Sequence, residues 1–331
     1  MGIDLYIVKK FSRSFSIETS GKSFETPFFI PAISSIKAEM DTLGYIDLIE
    51  KVGYPALLVS AYDISKLGKK KKETLMKDLA QHTGKKVLVF LDNGNYEAYW
   101  YKDKNWTLKE LKTVLDEVYP DFCFSFDVFW DEGKSIEEHA KETITSIAKT
   151  AGMQKTGSTI ALIHSNPEHF PKITWKVVEY LTPEIVAIPE RELGSGLFEK
   201  AQTIKKIRTK LDKMKKSIPI HVLGTGNPIS ILIYTLCGAD IYDALDWSNS
   251  FIDPETGQLF NFSHKDIVDC QCKACKMKGV PYNYQVIAHN LIFYLDFLDE
   301  VRNSIKDGKE DRILEKYLNE RIISKIRKVI D

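Results

Sequence analysis

Val87-Leu88-Val89-Phe90-Leu91-Asp92 is an uninterrupted apolar run that stops on a carboxylate. A short run of β-branched and aromatic residues bounded by polar ones predicts a strand buried on both faces. The same signature recurs at Phe28–Ile33, Ala56–Ala61, Phe122–Asp127, Thr159–His164, Ile185–Glu190, Ile218–Leu223 and Ile241–Leu245, which makes eight strands with the first. Segments of helical period lie between them, among them Met40–Val52, Thr107–Val118, Ile136–Ala151, Leu197–Leu211 and Pro228–Cys237. Eight buried strands alternating with helices imply an α/β fold, a (β/α)8 TIM barrel. A doubly wound open sheet is the alternative.

Outward from the strands, residues 1–27 alternate around Ser20-Gly21-Lys22 and predict an N-terminal hairpin that closes the bottom of the barrel. After the eighth strand the pattern breaks. Residues 248–290 contain the turn Asp253-Pro254-Glu255-Thr256-Gly257 and three cysteines, and predict an inserted zinc-binding subdomain. An amphipathic helix from Tyr284 to Lys306 follows, then a basic C-terminal helix. No repeat or low-complexity linker divides the chain, so residues 1–331 are expected to form a single barrel domain with this insertion.

Composition narrows the function. Of 331 residues, 46 are Lys or Arg and 46 are Asp or Glu, so the net charge is zero and a nucleic acid would have to be held by a local patch. Lys66 and Lys69 to Lys72, after the second strand, are the candidates on the catalytic side. The basic residues Lys205, Lys206, Arg208, Lys210, Lys213, Lys215 and Lys216 should lie on the outer helix and bottom face, away from substrate. The apolar stretches Ile229–Leu236 and Val286–Leu298 are too short or too interrupted for a membrane span, and the start lacks a leader pattern, so the expected location is cytoplasmic.

Five cysteines, few and odd in number, argue against a disulfide framework. Cys270, Cys272 and Cys275 crowd together, and His289 stands at the start of the last long helix. Three thiolates and an imidazole make a closed tetrahedral Zn²⁺ site of the structural kind. His264 competes for the fourth place. Cys123 and Cys237 lie in apolar runs and are expected in the core.

Barrel chemistry sits at the C-terminal ends of the strands, where this sequence places Asp92, Asp127, His164, Glu190 and Asp243. A carboxylate there is partly desolvated, so its pKa can be tuned for nucleophilic or acid/base work. Any one of them could equally cap the following loop; several at one rim point to a site. Two carboxylates on opposite sides of a sugar carbon suit retaining glycosyl transfer without a metal or redox cofactor. No phosphate-binding glycine loop follows a strand, and Gly194-Ser195-Gly196 is expected to be a flexible loop.

The same residues, in the same order, resemble the tRNA-guanine transglycosylase superfamily. The likeness runs from Glu25-Thr26-Pro27-Phe28 through Asp92-Asn93-Gly94-Asn95-Tyr96 and Gly238-Ala239-Asp240-Ile241-Tyr242-Asp243 to the cysteines and Ala288-His289-Asn290-Leu291. It implies Asp243 as nucleophile at C1′ and Asp92 as general acid/base. Tyr96 would stack on the purine, and Asp127, His164, Glu190, Gly224 and Asn93 would be substrate-binding. It also favours His289 over His264 as the fourth zinc ligand, and the family commonly pairs as a homodimer.

Two departures bear on the polymer. Ala244-Leu245-Asp246-Trp247-Ser248-Asn249 replaces a basic segment, and Pro189-Glu190-Arg191-Glu192-Leu193-Gly194 replaces a glycine-rich loop. Together with the expected lack of an RNA-binding domain, they resemble the DNA-modifying branch, which inserts 7-deazaguanine bases such as preQ0. Guanine exchange in DNA is therefore the expectation, with tRNA as the alternative polymer. A non-catalytic partner subunit and a glycosidase for small nucleosides are the competing functions. Trp247, Tyr96 or Trp130 would hold a flipped base.

Overall fold

Side chains on neighbouring positions of Leu88–Asp92 point to opposite sides: Leu88 and Phe90 enter one core, Val89 and Leu91 another. This period of two repeats around a closed barrel and decides which polar groups reach its interior. The computed structural model describes residues 5–7, 12–19, 21–84 and 87–330. Three antiparallel strands come first, β1 (Leu5–Ile7), β2 (Arg13–Thr19) and β3 (Lys22–Glu25). The barrel strands follow as β4 (Phe28–Ile33), β5 (Ala56–Ser60), β6 (Leu88–Asp92), β7 (Phe122–Phe124), β8 (Ser158–Leu162), β9 (Val186–Pro189), β10 (Ile220–Leu223) and β11 (Ile241–Ala244). Each pairs in parallel with the next, and β11 closes on β4 through Ile241 opposite Phe28 and Asp243 opposite Ile30. The eight expected strands and their barrel are all present.

Inside the barrel, Phe28, Ile30, Leu58, Phe90, Phe122, Phe124, Ile160, Leu162 and Ile241 form one apolar cluster. Ile17 and Phe24 of the β2–β3 hairpin join it, with the Phe24 ring 4.7 Å from Phe28. The hairpin thus plugs the bottom, where Lys22 forms a buried pair with Asp121 at 2.7 Å. Burying the Ile17 and Phe24 side chains stabilises by roughly 3–6 kcal/mol. The second cluster fills the space between strands and outer helices.

Two expectations change. β7 ends at Phe124 rather than at Asp127. The hydroxyl of Thr150 accepts the Phe126 N–H and that of Ser146 donates to its carbonyl, so helix Ile136–Ala151 peels the backbone off the ladder before Asp127. Arg208 is not on an outer face. It is fully buried, donates to the carbonyls of Gly238 and Ile218, and pairs with Asp240 at 2.5 Å. Gly238 is needed for this: its φ is +100° and a Cβ would stand 2.5 Å from the Arg208 Cγ.

After β11 come the hairpin strands β12 (Ser250–Ile252) and β13 (Leu259–Asn261), a short 3-10 turn Phe262–Ile267 and the cysteines. Helix Tyr282–Lys306 then packs back on the barrel, where Tyr294 stacks on Phe29 at 3.9 Å. Helices Glu310–Tyr317 and Glu320–Ile330 end the chain. Among the described residues, no helix is long and apolar enough to cross a membrane.

Candidate active site and metal centre

The interior parity set by Ile241 carries Asp243 into the barrel mouth, and the parity set by Leu223 does the same for His221. The two strands are paired, and His221 Nε2 lies 2.8 Å from Asp243 Oδ1. Both residues are buried. With its proton on Nε2, His221 donates to the carboxylate and fixes its orientation. The other ring nitrogen, Nδ1, is buried without a partner among the described residues.

Asp92 reaches the same mouth from β6, on the side of Leu88 and Phe90. Its Oδ2 accepts the N–H of Gly94 at 2.8 Å. Gly94 has φ +87°, and a Cβ there would lie 2.6 Å from the backbone nitrogen of Tyr62, so the turn after β6 requires glycine. Burial, and then the charge of Glu97, raise the Asp92 carboxyl well above its ordinary range; Asp127 and Asp243 push the same way. Asp92 therefore holds its proton to higher pH than an ordinary aspartate. Glu97 is itself buried, held by hydroxyl donation from Ser34 at 2.5 Å and Ser60 at 2.6 Å.

Asp127 and His164 form a third element. His164 Nε2 is 2.5 Å from Asp127 Oδ1 and its Nδ1 is 2.8 Å from Glu192 Oε1. Burial opposes charging the imidazole, but these two carboxylates outweigh it and raise His164 to about 9. For Asp127, burial pulls upward, and the bonds from His164 and Asn95 overcome it, leaving the carboxyl below its ordinary value. Both ring N–H groups of His164 are thus taken by the protein. It holds Asp127 and Glu192 in place; the other Asp127 oxygen accepts from the Asn95 amide, and the Asp127 charge acts on Asp92.

The other expected residues are placed as follows. Asn93 is buried, donates to the Ser125 carbonyl at 2.7 Å and accepts the Asn95 N–H at 3.0 Å, so it braces the loop that carries Asn95. Tyr96 stands at the rim, partly exposed. Glu190 accepts from the Tyr234 hydroxyl at 2.8 Å and pairs with Lys200 at 3.1 Å. Gly224 is exposed just beyond β10. Trp247 is no base holder: it is fully buried, donates to the Ala32 carbonyl and packs on Tyr45. Trp130 is wedged between His139 and His169. In the lysine run, Lys66, Lys71 and Lys72 pair with Asp103, Asp41 and Glu117 on the surface, pairs weak enough to open for a phosphate.

Sequence reasoning passed over His221, Glu97, Glu192 and Asn95. The first had a readable signal: a histidine inside the apolar run Ile218–Leu223, in phase with an interior position. The other three sit in loops or short helical turns, where no strand parity fixes direction.

In the segment after β11, Cys270, Cys272 and Cys275 converge with His289 of the last long helix, their donor atoms all within 4.8 Å of one another. Nδ1 of His289 is 3.5, 3.4 and 3.5 Å from the three sulfurs. A tetrahedron with zinc-type bond lengths has N to S edges of about 3.5 Å, so this donor set could hold a metal ion. His264 is exposed and takes no part in the cluster. Nε2 of His289 is 2.8 Å from the Ile252 carbonyl, which directs Nδ1 at the thiols. Next to it, Asn290 donates to the carbonyls of Trp247 and Ser250 and accepts from Ile252 N–H. The helix is thereby fastened to β12.

A closed parallel barrel with acidic residues at its mouth and a Cys3His cluster after the last strand defines a class of barrel proteins with an appendage that could hold a metal ion. The chain belongs to the queuine tRNA-ribosyltransferase family, whose model matches residues 9–322. It is similar to proteins named tRNA-guanine(15) transglycosylase: 23% identical over 303 residues to that of Nanoarchaeum equitans, 22% over 321 to that of Sulfolobus acidocaldarius and 23% over 327 to that of Methanococcus vannielii. Each alignment takes in 88% of this chain. The chain spans 72%, 61% and 48% of those relatives' own lengths.

Proposed function

We propose that the protein is a base-exchange transglycosylase that replaces a guanine in tRNA through a covalent Asp243 intermediate. The observation that carries this is the presence in one barrel mouth of two carboxyl groups in different settings, Asp243 held by His221 and Asp92 desolvated beside Glu97, which raises its pKa. The Asp243 carboxylate attacks C1′, forming a C1′–O bond as the C1′–N9 bond breaks and its electron pair leaves with guanine. Asp92 gives its proton to the departing base and takes one from the incoming base, whose nitrogen then displaces Asp243 from C1′. Asp127 accepts from N–H groups at the base edge, Tyr96 stacks on the ring, and Glu190 and Gly224 line the space beside it. The incoming base is a 7-deazaguanine.

The relatives' names support tRNA over the DNA expected from the sequence. One motive for DNA has also weakened, since Trp247 in the altered segment after Asp243 is a core residue and no surface grip. For the Cys3His cluster, Zn²⁺ is the metal that the donor set suits, and four protein ligands leave it a structural role. The cytoplasm is the location this function implies.

Incubation with labelled guanine and unmodified tRNA tests the reading. Label should enter tRNA and not a DNA oligonucleotide. Label in DNA alone would restore the DNA reading; label in neither would favour a non-catalytic subunit.

A further inference from the structure

Beside the catalytic mouth lies a row of aromatic rings that the fold does not bury. The short helix Asn95–Trp100 begins three residues after Asp92, and its first residue donates to Asp127 at 2.5 Å. From this helix Tyr96 is 40%, Tyr99 75% and Trp100 53% exposed. Their rings form a connected group: Trp100 lies 6.3 Å from Tyr96 and 5.8 Å from Tyr99, edge to face in both cases. Across Asp127, Phe129 is 57% exposed with its ring 4.7 Å from His164. Large rings left in water forgo the stabilisation of burial, and this many in one place mark a contact surface.

The surroundings identify the occupant. Tyr101, next in the chain, stacks on Tyr62 and bonds to Ser35, which anchors the end of the helix to the barrel. Exposed Lys102 and Lys104 follow, so rings and cations interleave. On the opposite rim the exposed Arg191 comes near enough to Tyr96 for its charge to act on the phenol. Flat rings for the faces of bases and cations for the phosphates are the chemistry of an unstacked polynucleotide strand.

We infer that Tyr99, Trp100 and Phe129 form a stacking platform for the unpaired nucleotides flanking the target, continuous with the base pocket at Tyr96. This rests on the transglycosylase reading, which supplies the polynucleotide. A platform of this kind reads the stacking faces of bases and tolerates many sequences. It requires the flanking nucleotides to be free of a duplex, so a loop is accepted and a paired stem refused.

Binding of a guanine-containing 12-nucleotide single strand, as RNA and as DNA, tests the platform through tryptophan fluorescence. Trp100 is the exposed tryptophan among the described residues, so stacking should quench it. Trp100→Ala and Tyr99→Ala should each weaken binding roughly 5- to 100-fold. Trp100→Phe should keep near-normal affinity while losing the quench, and the same strand paired into a duplex should bind poorly. Trp100→Ala that binds like wild type, or a duplex that binds as well as the single strand, would overturn the platform and leave the transglycosylase reading intact. A wild-type protein that binds neither strand would overturn the platform, and label incorporation into tRNA would then decide the transglycosylase reading on its own.

Discussion

His221 and Asp243, neighbours on paired strands, meet through a 2.8 Å hydrogen bond inside the barrel. Removing the donor leaves the carboxylate free to rotate away from its attack geometry. His221→Phe should slow formation of the covalent adduct by roughly 100-fold while the affinity for polynucleotide changes little. His221→Gln, which keeps an N–H, should recover part of the rate, as read by single-turnover kinetics. Equal rates in all three proteins would show that the bond does not position the nucleophile.

Asp92 should act in its protonated form, because burial and the charge of Glu97 raise its carboxyl. Activity then falls as pH rises through that raised value. Glu97→Gln removes the charge, keeps an oxygen to accept from one of the hydroxyls of Ser34 and Ser60, and offers an N–H to the oxygen of the other. The alkaline limb of the pH–rate profile should therefore move to lower pH. A limb that stays in place would separate Glu97 from the acid.

His164 contributes to stability through its bonds to Asp127 and Glu192. Its pKa is raised from 6.5 to about 9, so that contribution is complete below pH 6.5 and disappears as pH climbs through about 9. The loss amounts to at most about 3 kcal/mol. Denaturant melts of wild type should weaken across this window, and those of His164→Gln should be flatter. Parallel curves would contradict the ion pair.

The barrel was legible because its eight strands are apolar runs on both faces, a pattern few other folds share. That Asp92 and Asp243 reach the mouth was legible because Asp92 ends such a run, Asp243 lies near the end of the last barrel strand, and both keep interior phase. Phase misleads where the backbone leaves the ladder: Asp127 lies beyond the point where Ser146 and Thr150 capture Phe126. The burial of Trp247 and Arg208 was not legible, because their partners, Ala32 and Asp240, are brought to them only by closure of the barrel.

Hydrogen bonds of His289 and Asn290 fasten the segment after β11 to the last long helix, and a metal held by the Cys3His cluster would add to that tie. One Zn²⁺ per chain is expected, lost in Cys272→Ser. Its removal should lower the melting temperature by at least about 5 °C and expose amides of residues 250–290 to hydrogen exchange. A protein with far less than one zinc per chain and unchanged exchange in Cys272→Ser would remove the metal from the account.

The most direct test of the central claim is to trap the glycosyl intermediate. Wild-type protein incubated with guanine-containing tRNA and then denatured should carry a nucleic-acid adduct linked through Asp243, identifiable by peptide mass. Asp243→Ala should carry none while still folding. An adduct that persists in Asp243→Ala, or maps to another residue, would contradict it.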